Sequence, residues 1–201
     1  MLYVEWYLMK KSFPKLGVLV SGRGTNLQSI IHHIQSGDLH AEISVVVSDQ
    51  PNAYALQRAR EANIPSVVVH RDKTLPKESF DRKLIETLQV HGAEWIVLAG
   101  FMKILGPVFL AHFPQKVINI HPSLLPKYPG LNAIQSAFEN KEKVMGVTVH
   151  YVNEGVDTGP VIMQEKVLID PSDSLEEVES KIHKAEHQIY PKAIQKVLWN
   201  K

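Results

Sequence analysis

The chain of 201 residues contains no cysteine. That absence removes disulfides, thiolate nucleophiles and cysteine metal sites from consideration, and it fits a reducing, cytoplasmic location. Charge of one sign is equally missing: 22 Lys and Arg oppose 21 Asp and Glu, for a formal net charge of +1. With no basic block to track a phosphate backbone, nucleic acid is not expected as a partner. No apolar run approaches the roughly 20 residues that cross a bilayer, so no membrane association is expected either. What remains is a 44% hydrophobic chain, long enough for one substantial core.

Residues Met1 to Ser12 mix Trp6 and Leu8 with Glu5, Lys10 and Lys11, and the charges follow the apolar residues, the reverse of a secretion signal. They read as a leader or extension, or alternatively as an added edge strand, because Leu2, Tyr3, Val4, Trp6 and Tyr7 favour β structure. Residues 13–201 read as a single domain, with no internal repeat or linker.

From Leu16 onward, short apolar runs alternate with helical patterns, as parallel strands joined by crossover helices require. Strands are expected at Leu16–Val20, Ile43–Val47, Ser66–Val69, Trp95–Leu98 and Val117–Ile120. Helices are expected around Leu27 to Ile34, Leu56 to Ala59 and Phe80 to Leu88. Two longer runs, Val144–Val152 and Val161–Ile169, flank a Gly/Asp/Pro turn and suit an antiparallel or mixed extension. A long C-terminal helix opens on Ser174 and Glu177, a capping-box pattern, and Pro191 is expected to kink or end it. The fold class is therefore α/β: a Rossmann-like open twisted sheet, parallel in its N-terminal half.

Three places carry chemistry. Ser21-Gly22-Arg23-Gly24-Thr25-Asn26 lies between a strand and a helix, where free amides can hold an anionic oxygen cluster. Leu27 occupies the third glycine position of a dinucleotide fingerprint, and no Gly-Lys-Ser/Thr follows, so a phosphate monoester fits better than a dinucleotide. An ordinary strand-to-helix turn capped by Thr25 or Asn26 would look the same.

The second place is Asn119-Ile120-His121-Pro122. The period of two puts Asn119 and His121 on one face of a strand whose pairing Pro122 ends. Asp157, in Gly155-Val156-Asp157-Thr158-Gly159-Pro160, is the third. A carboxylate beside an imidazole favours the imidazolium, and an amide with an imidazolium can stabilise an oxyanion on an acyl carbon. The alternative is that Asn119 and His121 are strand-end residues satisfying loop backbone groups while Asp157 is an ordinary turn aspartate. His183 and His187 have a metal-compatible spacing but lack the His-Glu-x-x-His order, and no metal is expected.

Taken together, the glycine loop, Gly100-Phe101-Met102-Lys103-Ile104-Leu105, Asn119 to Gly130 and Gly155 to Pro160 resemble the phosphoribosylglycinamide formyltransferase (GAR transformylase) family of folate-dependent formyltransferases. The resemblance runs from about Leu16 to Ile194 with the motifs in order. It implies an enzyme with a phosphate-binding N-terminal half and a folate-binding C-terminal half. The reaction it implies moves the formyl group of 10-formyltetrahydrofolate onto the amine of glycinamide ribonucleotide, in purine biosynthesis.

By the same resemblance, Asn119 and protonated His121 hold the oxyanion while Asp157 keeps His121 charged and helps shuttle a proton to the folate nitrogen. Gly24, Thr25 and Asn26 bind the phosphate, and Glu186, with His183 one turn earlier, the ribose. The resemblance assigns Met102, Lys103, Ile104 and Leu105, together with Asn119, Asn153, Glu154, Gly155, Val156 and Asp157, to the folate, and Lys77 to its tail. Its co-substrates are small molecules, no metal takes part, and the chain acts as a monomer or homodimer. Lys103 and Asn132 stand where arginine and histidine are frequent in the family, and lysine does not reproduce arginine's planar fork.

The rivals are methionyl-tRNA formyltransferase, which adds a tRNA-binding domain, and formyltetrahydrofolate hydrolase, which adds a regulatory one. From other classes come a nicotinamide-dependent oxidoreductase, with Asp49 as a ribose ligand, and a non-catalytic nucleotide or folate binder.

Overall fold

The computed structural model describes residues 13–72 and 74–199; the leader or edge strand expected at residues 1–12 lies outside them. Seven strands form one sheet: β1 (Lys15–Val20), β2 (Glu42–Ser48), β3 (Ser66–Val68), β4 (Trp95–Leu98), β5 (Val117–His121), β6 (Val144–Tyr151) and β7 (Val161–Leu168). Six helices complete the described residues: α1 (Thr25–Gln35), α2 (Tyr54–Glu61), α3 (Lys77–Val90), α4 (Pro107–His112), α5 (Ala133–Glu139) and α6 (Leu175–Trp199).

The strand order is β3-β2-β1-β4-β5-β6-β7. Pairing is parallel from β3 through β5 and antiparallel between β5 and β6 and between β6 and β7. Chain order therefore reverses direction between β1 and β4, which opens a crevice at their carboxyl ends, where ligands of such sheets bind.

The alternation of side chains divides the core in two. On one face, Ile118 and Ile120 of β5 with Met145, Val147 and Val149 of β6 pack against α1, α5 and α6. On the other, Leu19, Leu98 and Val117 pack with Phe80, Leu84 and Leu88 of α3 and Phe109 of α4. That second helical layer lies over the parallel strands. Over β5 and β6 the same face carries Asn119, His121, Thr148 and His150, and residues 153–158 fold back toward it.

The short α4 and α5 are absent from the sequence reading, since six or seven residues give too little periodicity to detect. The expected break at Pro191 does not occur as an end, because α6 continues to Trp199 with Pro191 inside it. Burial outweighs the lost backbone bond here: Ile189, Tyr190, Pro191, Ala193 and Ile194 are all buried. The capping box forms as expected, with Glu177 Oε2 accepting from Ser174 N at 2.7 Å and Ser174 Oγ accepting from Glu177 N at 3.3 Å.

Candidate active site

At the end of β1 the chain turns into α1 through Gly24, whose φ of 69° lies in the left-handed region. A side chain there would also press within 2.6 Å of Ala55 Cβ and 2.9 Å of its Cα. The glycine lets the loop lie flat against α2 while α1 points its free amides outward. Asn26, on the first turn, is buried and donates from Nδ2 to Glu186 Oε2 at 3.3 Å. The same oxygen lies 2.9 Å from His183 Nδ1, and that bond raises the His183 pKa despite burial. Residues 160 positions apart thus meet: the glycine loop and the α6 acid form one polar corner. Beside them is an open cleft of about 510 Å³ whose lining includes Thr25, Gln28, Arg58, Lys184 and His187 and no carboxylate, a setting suited to an anion.

The second corner forms on β5 and β6. Asn119 and His121 do share a face, and the register adds His150, which lies directly opposite Asn119. Residues 153–158 bring Asp157 to them in a left-handed conformation, φ 53°. Asp157 Oδ2 lies 3.2 Å from His121 Nδ1 and accepts from Gly130 N at 2.8 Å. Its Oδ1 lies 3.4 Å from both His150 Nε2 and Asn119 Nδ2. One carboxylate therefore contacts all three polar side chains. Burial alone would raise the Asp157 pKa, but the bonds from His150 and Gly130 and the charges of His121 and His150 lower it.

His121 Nε2 is 2.7 Å from the Tyr128 carbonyl, so both ring nitrogens face oxygen acceptors. Only a ring carrying both protons donates to the two. The loop that supplies Tyr128 and Gly130 is held by buried Thr148, whose hydroxyl donates to Ser123 O at 2.6 Å and accepts from Leu125 N at 3.1 Å.

His150 is the residue that sequence reasoning missed. The signal was present, since Met145, Val147 and Val149 alternate with Gly146, Thr148 and His150 along β6, but nothing local ties His150 to Asp157.

On the segment after β4, Met102 and Ile104 are each 63% exposed and Val156 in the Asp157 loop is 50% exposed, whereas Leu105 is buried. Exposed apolar side chains bordering polar ones suit a flat, partly polar ring. Asn153 Oδ1 braces its own loop, accepting from Gly155 N at 3.2 Å and Thr158 Oγ1 at 2.9 Å, while Glu154 and Gly155 are exposed. Lys103 turns to Asp49, Nζ to Oδ2 3.2 Å. Lys77 is exposed on the first turn of α3, where its charge acts on buried Asp81. Asn132 adopts φ 60° as it leads into α5, a conformation that asparagine tolerates better than most residues. His183 and His187 do not converge with a third ligand: among the described residues no group of three or more His, Cys, Asp or Glu could hold a metal ion.

This fold and site define a class. Residues 14–194 match the family described as formyl transferase, and the chain belongs to it. Among its relatives is the phosphoribosylglycinamide formyltransferase of Haemophilus influenzae, 49% identical over 180 residues, which are 90% of this chain and 85% of that protein. Another is the enzyme of the same name from Bacillus subtilis, 42% identical over 92% of this chain and 94% of that one. Among solved structures, glycinamide ribonucleotide transformylase 1 from Geobacillus kaustophilus superposes with a TM-score of 0.88 at 41% identity, over 93% of this chain and all of that one. The chain is thus an α/β formyl transferase, an enzyme of one-carbon transfer.

Proposed function

We propose that this formyl transferase moves the formyl group of 10-formyltetrahydrofolate to the amine of glycinamide ribonucleotide, as a phosphoribosylglycinamide formyltransferase of cytoplasmic purine biosynthesis. The observation that carries this reading is the pairing of two corners, an anion-binding loop joined to Glu186 and a polar cluster centred on Asp157, in a chain 49% identical to an enzyme of that name.

The phosphate rests on the amides of Gly24, Thr25 and Asn26, and the ribose hydroxyls meet Glu186 and His183. The pterin lies against Met102, Ile104 and Leu105 and along residues 153–157, with Lys77 toward the tail carboxylates. The substrate nitrogen attacks the formyl carbon, and the carbonyl electron pair moves onto oxygen. Asn119 stabilises that oxyanion as a preorganised donor, and protonated His121, its ring held between Asp157 and the Tyr128 carbonyl, stabilises it by its charge. Collapse breaks the bond from carbon to the folate nitrogen; the attacking amine loses one proton and the leaving nitrogen gains one. Asp157, in contact with His121, passes that proton through water. Nothing in this sequence of steps uses a metal or a covalent enzyme intermediate.

The test is acceptor dependence. Purified protein is expected to convert 10-formyltetrahydrofolate to tetrahydrofolate only with glycinamide ribonucleotide present; turnover without it would indicate a hydrolase, and none with it would sink the assignment. His121→Ala and Asp157→Ala are expected to lower turnover by at least about a hundredfold while donor binding changes far less.

A further inference from the structure

The crevice between β1 and β4 is closed by one side chain. Ser21, the first residue after β1, donates its backbone N–H to Gly100 O at 3.0 Å, and its hydroxyl accepts the N–H of Met102 at 2.8 Å. The glycine loop and the segment after β4 are thereby stitched together. Beside Ser21 lies Asp49, just beyond β2 and 1% exposed. Its Oδ2 accepts from Gln50 Nε2 at 2.9 Å and lies 3.2 Å from Lys103 Nζ, while its Oδ1 is buried without a hydrogen-bond partner. Burial raises this carboxyl, but the bonds from Ser21, Gln50 and Lys103 prevail and lower it. A buried, ionised carboxylate with one oxygen unmatched is costly for a structural element alone. Its distant partner, Lys103, however, comes from the segment after β4, which Ser21 joins to the end of β1.

We propose that Asp49 is a positioning residue that holds Lys103, and with it the segment after β4 that Ser21 ties to the glycine loop, fixing the spacing between the phosphate end and the folate end of the site. The proposal rests on the function proposed above, because it concerns two segments that meet two different substrates. It gives the Lys103 ammonium a task other than touching the folate. With its ammonium turned inward to Asp49, Lys103 anchors the backbone that presents Met102 and Ile104 to solvent.

The experiment is a double-mutant cycle in the full-length enzyme, with Michaelis constants measured for both substrates. D49N keeps the shape and removes the charge, K103M removes the partner, and S21A removes only the bridging hydroxyl. D49N and K103M are each expected to raise the donor KM roughly tenfold, and the double variant no further, as for residues sharing one network. D49N and S21A are also expected to raise the acceptor KM severalfold, though neither residue touches the acceptor in this scheme. A purely structural role would instead lower the melting temperature and leave both KM values unchanged, which overturns the proposal. A donor KM raised by K103M but not by D49N, or effects that multiply in the double variant, overturn it as well, since Lys103 would then act on the donor directly. Should D49N fail to fold, K103M and S21A decide the matter: raised donor KM with K103M and raised acceptor KM with S21A support the clamp, and unchanged values overturn it. Absence of acceptor-dependent turnover in the unmodified enzyme counts against the formyl-transfer reading itself, whereas an active enzyme with indifferent variants counts against the clamp alone.

Discussion

His150 stands directly across the β5–β6 ladder from Asn119, its Nε2 3.3 Å from the Asn119 amide nitrogen. The same nitrogen faces Asp157 Oδ1, and the ring is 2% exposed. His150 thus lies against both an amide and a carboxylate of the proposed machinery, and its one Nε2 can bond to only one of them at a time. His150→Ala is expected to lower kcat by roughly tenfold to a hundredfold, the scale of a small misplacement of reacting groups, while donor binding falls much less. Steady-state kinetics with a direct binding titration check this, and an unchanged kcat refutes it.

Asp157 sets an acid limit on stability. Its carboxyl is lowered in the folded protein from the ordinary value of 3.8. A depressed folded pKa contributes stability that is present above the unfolded value and is lost as the pH falls through the folded one. Denaturant unfolding at a series of pH values from about 2 to 6 is therefore expected to show stability falling toward acid. Asp157→Asn should flatten that limb. An unaltered pH slope in the variant contradicts the assignment.

Tyr190, fully buried on α6, donates its hydroxyl to Leu98 O at 2.9 Å and to Ile118 O at 3.1 Å. One hydroxyl ties the end of β4 to the start of β5, the two strands that lead into the site. Tyr190→Phe removes the one proton shared between these two carbonyls and is expected to cost about 1–2 kcal/mol in urea unfolding. A stability equal to the parent's would show that the carbonyls find other partners.

Gly159 allows the chain to cross close over β6. A Cβ there would sit 1.7 Å from Tyr151 O and 2.8 Å from its carbonyl carbon, both backbone atoms that a rotamer change does not move. Gly159→Ala is expected to destabilise by roughly 1–3 kcal/mol and to lower turnover in the folded fraction, because the displaced loop carries Asp157. Full activity with a normal melting temperature would contradict this account.

Much of the architecture was legible because each parallel strand is a short, mainly apolar run between helical patterns, and the hairpin's Gly/Asp/Pro turn announced the change of direction. Pro191 does not end the helix for a physical reason: the local cost of proline in a helix is visible in sequence, whereas the burial of Ile189, Tyr190 and Ile194 that offsets it is not. Asn119 and His121 declared themselves by their spacing in one strand. His150 did not, since its partners come from β5 and from residues 153–158. Asp49 enters the sequence reading only under the rival oxidoreductase, as a ribose ligand, because its actual partner, Lys103, is 54 positions away and only the reversed strand order brings the two together.

The face of β5 and β6 without helices is roofed by loops. Asn119 is half-buried, and His121, Thr148 and His150 are buried beneath the chain that carries Tyr128 and Gly130 and beneath residues 153–158. Apolar side chains there would hold such loops by packing alone; here the bonds between Thr148 and Ser123 and Leu125, and between Gly130 and Asp157, fix them in one place. Exchanging these residues for Val or Leu would leave loop amides and carbonyls buried without partners.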